Sequence, residues 1–175
     1  MILVSDYIKF NNENLILKLN EYTKNNPCCK IYPNCNHPEY QSDSNIFLIK
    51  DENIDIVKEN YFYYLKKILN KSTLNIISND CWVYVNNKDQ KINSNWHDHL
   101  NSEKKKENNI YIAGLMYLTN TKFGTRFKTK YWEAQTIPYV NRWYVWDSSI
   151  SHTPMGGDIS TENRMVIATM TIIEK

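Results

Sequence analysis

Three of the four histidines in this 175-residue chain stand where they can do metal chemistry: His97 and His99, in Trp96-His97-Asp98-His99, and His152. In an extended strand the side chains of residues i and i+2 point to one face, so His97 and His99 can converge on one ion. A third imidazole from a distant strand completes a facial set and leaves coordination positions open for a reactant. Alone, an H-x-H is equally compatible with two ordinary exposed residues beside a loop. The surroundings of His152 point further: the run from Val145 to Met155 carries an apolar strand through a short polar turn that delivers one imidazole. Arg164 then opens a last apolar strand, leading Val166, Ala168 and Met170 on one face. If that face is interior, the guanidinium needs a buried anion, because an unpaired buried cation is costly. A dicarboxylate would supply one and fit the planar fork of donors.

The elements that must position these groups divide into a helical first part and a strand-rich remainder. Leu15, Ile16, Leu19 and Tyr22 follow Asn11-Asn12 at helical spacing, and Pro27 ends that helix. Residues 27–44 read as a loop carrying Pro33 and Pro38. Asp51 opens a stronger helix whose apolar face is Ile54, Val57, Tyr61, Tyr64, Leu65 and Ile68, with Lys66-Lys67 at its end. From about Leu74 the pattern predicts strands at 81–85, 110–118, 124–128, 134–140, 142–146 and 164–173. No repeat or linker splits the chain. The expected fold is mainly β with flanking helices, a double-stranded β-helix (jelly-roll) barrel, in one domain: 1–72 as helical buttress and 73–175 as core.

Composition narrows the function. An apolar fraction of 42% argues for a folded chain. A net charge of +2 with dispersed lysines makes a nucleic-acid partner unlikely, and the run Glu103 to Glu107 mixes both signs. The start lacks the basic and apolar segments of a signal peptide, and no apolar run approaches a bilayer span. The expectation is a soluble cytoplasmic protein with no membrane partner and four reduced cysteines.

The residues also resemble a known family, the 2-oxoglutarate/Fe(II) oxygenase superfamily, and within it the small prolyl 4-hydroxylase-related oxygenases of marine bacteria and their phages. Tyr40-Gln41-Ser42 resembles a Trp/Tyr-Gln-Ser signature before the first long helix, and Trp82-Val-Tyr-Val-Asn86 the strand before the first metal ligand. Ala113-Gly-Leu-Met-Tyr117-Leu118 resembles the strand whose tyrosine reaches the cosubstrate, and Gly124-Thr-Arg-Phe127 the next one. Asn163-Arg164-Met-Val-Ile resembles the closing strand with its carboxylate-binding arginine. The resemblance implies a dioxygenase that hydroxylates an unidentified substrate, using Fe(II) on His97, His99 and His152, O2, and 2-oxoglutarate bound by Arg164 and Tyr117. A virus-encoded origin is among the expectations of that resemblance.

Two departures bear on that reading. The superfamily pairs its first histidine with a carboxylate two residues on, whereas here Asp98 lies between the histidines. Three imidazoles are therefore expected, with Asp98 the alternative ligand if a bulge turns it inward, or an orienting group behind an imidazole. Relatives often carry a serine where this chain has Val166, which puts more weight on Tyr117.

Rival readings use other residues. His97-x-His99 followed by Glu103 matches the first motif of a cupin, a three-histidine metal protein (thiol dioxygenase or metal-binding barrel) with no need of 2-oxoglutarate. Against it, the Pro-x-Gly of the second cupin motif is missing before His152. Cys28-Cys29, Cys35 and His37 have zinc-binding residue types but match no standard knuckle spacing, so they read as loop thiols. Trp132, Trp143, Trp146, Tyr131 and Tyr139 are candidates for a substrate mouth but read mainly as core or sheet-surface aromatics, and Arg126 and Arg142 as solvent-facing. A barrel kept as a scaffold without activity is the non-enzymatic alternative.

Overall fold

Two side-chain caps fix where the helices begin. Asn11 accepts from the Asn14 N–H at the start of α1 (Asn12–Asn25), and Asp51 accepts from the Asn53 and Ile54 N–H groups at the start of α2 (Glu52–Leu69). Each satisfies donors that the first helical turn leaves without partners. Asn70 ends α2 in the left-handed conformation, φ 52°, with its N–H on the Lys66 and Lys67 carbonyls. The computed structural model describes residues 1–28, 41–43, 45–88, 95–100, 105–155 and 163–175.

Among the described residues, eight strands follow the alternation of their residues into two antiparallel sheets. They are β1 (Ile2–Val4), β2 (Ile76–Asn86), β3 (Asn109–Tyr117), β4 (Thr125–Lys128), β5 (Glu133–Gln135), β6 (Trp143–Asp147), β7 (Ser151–Pro154) and β8 (Arg164–Glu174). The larger sheet has the order β1-β6-β3-β8-β2 and the smaller β5-β4-β7. On the outer face of the larger sheet Val83, Met116, Trp143, Val145, Met165 and Ile167 pack with Leu15, Leu19, Ile54, Val57, Tyr61 and Leu65 of the helices. Each such side chain contributes about 1.5–3 kcal/mol of burial. Gly114 lets α2 come close: a Cβ there would lie 3.2 Å from Cε2 of Tyr61. The inner face meets the smaller sheet in a second cluster that includes Tyr84, Leu115, Tyr117, Phe127, Tyr144, Trp146 and Val166. This is a jelly roll with its two helices on one outer face.

Differences from the sequence reading have local causes. β1 was not foreseen; three residues carry no period of their own and become a strand only against Tyr144 to Trp146 of β6. The strand expected at 134–140 is confined to β5, because Pro138 cannot donate to a ladder, and Val140 returns only as an isolated bridge to Tyr117. β2 begins at Ile76 rather than 81, carried by pairing with β8. Residues 151–154, read as the end of a turn, form β7 against β4. The sheets face each other as two layers, and no closed barrel forms among the described residues. Cys28 is disulfide-bonded, which overturns the expectation of four reduced thiols; compartment reasoning from the N-terminus does not constrain one cysteine's pairing. Cys81 is free and buried. Cys29, Cys35, His37, Tyr40 and Glu103 lie outside the described residues. Among the described residues no helix is long and apolar enough to cross a membrane.

Candidate metal centre and anion pocket

His152 sits on β7, and the chain at His97 pairs with it. The His97 N–H donates to the His152 carbonyl at 3.1 Å and the His152 N–H to the His97 carbonyl at 2.8 Å, an antiparallel hydrogen-bonded pair. Residues 95–99 thus extend the smaller sheet beyond β7, and alternation brings His97 and His99 to the face of His152. The ring centroids lie 5.3 Å (His97–His99), 4.4 Å (His97–His152) and 4.8 Å (His99–His152) apart. One ligand nitrogen from each falls within 4.8 Å of the others.

The state of these rings suits a cation. Nδ1 of His97 lies 3.2 Å from the Asn95 carbonyl, and Nδ1 of His152 lies 3.2 Å from the Ile150 carbonyl. A carbonyl can only accept, so each Nδ1 is the donor of its contact, which leaves Nε2 as the nitrogen a metal can use. Burial, then the neighbouring His97, hold His99 down to about 4 against an opposing pull from Asp98. Burial, then His99 and His97, hold His152 down to about 3. Both rings are therefore neutral near pH 7, the ligand form. Asp98 is exposed on the other face, with Oδ1 accepting from the Leu100 N–H, and takes no part in the cluster.

A cavity of about 640 Å³ joins the histidines to Arg164, lined also by Trp82, Tyr84, Thr125, Trp146 and Val166. Arg164 pairs with Asn86 across β8 and β2, is only 4% exposed, and has no carboxylate within ion-pair distance among the described residues. Its Nε has no hydrogen-bond partner, and a terminal nitrogen reaches the Thr125 hydroxyl at 3.5 Å. A buried charged fork with an unused donor beside a cavity can take an anion. Tyr117 is placed beside it, its ring 5.4 Å from the guanidinium, but its hydroxyl engages Thr125 and Thr136, each at 2.9 Å. Gly124 makes that cluster possible, since a Cβ there would come within 2.2 Å of the Thr136 carbonyl.

The sequence reading placed the three histidines and Arg164 at one site, and the structure brings them together. It missed Thr125, which lines the cavity and links Tyr117 to Arg164, and Tyr84, whose hydroxyl is pushed up by burial while Asn86 and Arg164 pull it down. Alternation was the available signal: Thr125 shares a face with Phe127, and Tyr84 with Trp82. Of the candidate mouth aromatics, Trp146 lines the cavity, Trp143 is buried against α2, and Tyr131, Trp132 and Tyr139 are exposed. Arg142 donates to the Ser5 carbonyl instead of facing solvent alone.

No family model and no curated protein matches the sequence. Solved structures do match the fold. A prolyl-4-hydroxylase from Pseudomonas putida is similar over 97% of this chain and 91% of its own, at 10% identity and a TM-score of 0.64. The 2-oxoglutarate complex of a viral collagen prolyl hydroxylase from Paramecium bursaria Chlorella virus-1 is similar over 99% and 96%, at 9% identity and 0.54. A non-haem monooxygenase, ThoJ, in its nickel complex is similar over 99% and 73%, at 11% identity and 0.66. At these identities the likeness shows a shared jelly-roll fold.

Proposed function

We propose that this chain is a non-haem Fe(II)- and 2-oxoglutarate-dependent dioxygenase that hydroxylates a substrate still to be identified. The observation that carries the reading is a pair of features in one cavity: three imidazoles within reach of one ion, His99 and His152 among them held neutral by burial, and a buried arginine with no counter-charge among the described residues. The fold neighbours lend support, since one is a 2-oxoglutarate complex and another holds nickel.

His97, His99 and His152 would hold the metal through Nε2, kept in the right tautomer at two positions by backbone carbonyls. A neutral set leaves a divalent ion with one more unit of positive charge than two histidines and a carboxylate would, which favours an anionic chelator. Arg164 would pair with the far carboxylate of 2-oxoglutarate, a contact of about 1.5–3 kcal/mol. Thr125 lies against that guanidinium, and Tyr117 holds Thr125. When bound, iron and 2-oxoglutarate supply the oxidation: one atom of O2 goes to succinate with loss of CO2, the other into a substrate C–H bond. Trp82 packs edge-on to His99 and Trp146 to His152, which holds those two rings in place. Residues 1–72 would buttress the catalytic part, 73–175, as one unit.

The test is anaerobic addition of Fe(II) and then 2-oxoglutarate, watched for the weak visible charge-transfer band of the chelate. The band should form in the wild type and fail in His152→Ala. Metal uptake without any effect of 2-oxoglutarate would instead favour the cupin-like reading, in which the anion pocket has no role.

A further inference from the structure

The outer face of the smaller sheet is predominantly positive. Arg126, Lys128 and Lys130 fall within five residues, with Glu133 the nearest acid along the chain, in a protein whose totals are 21 basic against 19 acidic residues. Alternation along β4 buries Thr125 and Phe127 and exposes Arg126 and Lys128. The same alternation turns Trp96 away from its neighbour His97 onto this outer face. Its ring lies 5.4 Å from the Arg126 guanidinium and 5.3 Å from the Lys128 ammonium. At the end of β4, Lys130 lies 5.6 Å from the ring of Tyr131, which is 85% exposed, and Trp132 is exposed beside it. Among the described residues the ion pairs are Lys18–Asp51 and Lys67–Asp6, both at the helices. The β4 cations rest on rings and not on carboxylates.

We propose that this face binds single-stranded nucleic acid, with phosphates on Arg126, Lys128 and Lys130 and unstacked bases on the rings of Tyr131 and Trp132. Rings interleaved with cations are the surface such strands require, because every base offers a π-face and every linkage a charge. A duplex hides its base faces and would leave the rings unused. An acidic peptide would use the cations alone and would meet Glu133, which stands opposite Lys128 in the β4–β5 register. An anionic bilayer surface would also take cations and interfacial rings, and is separated from a nucleic acid by the vesicle arm of the test below. The chain-wide charge of +2 conceals the patch because acids elsewhere cancel it. The inference does not depend on the catalytic reading, although a strand held by Trp96 would lie one residue from a metal-site histidine.

Fluorescence anisotropy of a short labelled oligothymidylate with the full chain tests it. Binding should weaken roughly twentyfold between about 50 and 200 mM salt if three phosphates are contacted, at ~0.7 in the log–log slope for each. Reversing two contacts in Arg126→Glu/Lys128→Glu should weaken it by more than about tenfold. Tyr131→Ala should weaken it roughly tenfold while Tyr131→Phe keeps it, which isolates stacking from hydrogen bonding. Should the double reversal fail to fold, Lys130→Glu in the exposed turn serves instead. No binding at low salt, equal binding of polyglutamate, of duplex DNA or of phosphatidylserine vesicles, or variants that bind as the wild type does, would each overturn the proposal.

Discussion

The two faces of the larger sheet are made by the same strands, read at odd and even positions, and do opposite work. On the outer face Val83, Met116, Val145, Met165 and Ile167 meet helix side chains in a dry apolar cluster. Its hydroxyls find partners: Tyr61 with Thr171, and Asn79 with Thr169 and Thr171, each at 2.8 Å. On the inner face Arg164 and Trp146 are equally buried, yet the Arg164 Nε and the Trp146 Nε1 have no partner. Burial is alike; satisfaction is not. A buried polar atom without a partner costs about 1–3 kcal/mol, so the inner face gives up stability that a ligand can return.

The contrast is broken most severely by His152→Ala. With a metal ligand deleted from the inner face, Fe(II) or Co(II) affinity should fall by more than about a hundredfold, above the range for outer-shell partners. Anaerobic calorimetric titration reads this, and wild-type affinity in the variant would remove the three-histidine assignment. The outer-face counterpart is Ile167→Ala. It should cost about 2–5 kcal/mol in denaturant unfolding, while metal uptake, measured below the unfolding transition, stays at the wild-type level.

Arg164→Leu sharpens the comparison further, because it should move function and stability in opposite directions. Removing the guanidinium takes away about 1.5–3 kcal/mol of carboxylate binding, a ten- to hundredfold loss of 2-oxoglutarate affinity. It also removes a buried charge that has no ion-pair partner among the described residues, so the ligand-free fold should be as stable as the wild type or more so. Thermal unfolding with and without 2-oxoglutarate measures both. A variant much less stable without ligand would show that Arg164 is a structural group, and the anion pocket would lose its basis.

That contrast also explains what could be read from the chain beforehand. Alternation in β8 put Arg164 on the face of Val166 and Ala168, and the i, i+2 rule put His97 with His99; both are local and both hold in the structure. The pairing of His97 with His152 is not local. Nothing in residues 95–99 states that they add to β7, since such a short segment takes its conformation from its neighbour. β1 escaped notice for the same reason. Tyr117 was expected at the cosubstrate only from the family resemblance; its hydroxyl meets Thr125 and Thr136, a detail of reach that a strand pattern does not show. The disulfide at Cys28 shows the limit of compositional reasoning, which speaks of compartments and not of a given pair.

The smallest expected effect concerns the support behind the outer face. Asp51 caps α2 through Oδ1, and its Oδ2 meets Lys18 of α1 at 2.7 Å, so one carboxylate serves a helix start and a helix–helix tie. The Lys18 hydrogen bond, ahead of the backbone N–H groups, holds its carboxyl below the usual 3.8 despite some burial. Its folded pKa is thus lower than its unfolded one. The stabilisation is fully present above about pH 4 and is lost as pH falls through the folded value. Asp51→Asn keeps the capping oxygen and removes the charge. With Lys18 partly exposed, the loss should be no more than about 0.5–1 kcal/mol near pH 7 and should vanish at the acid end, where the wild type is protonated too. Chemical unfolding of both proteins across that range reads the difference. A constant gap would assign the effect to the cap alone, and the tie between α1 and α2 would then contribute nothing to holding the outer face closed.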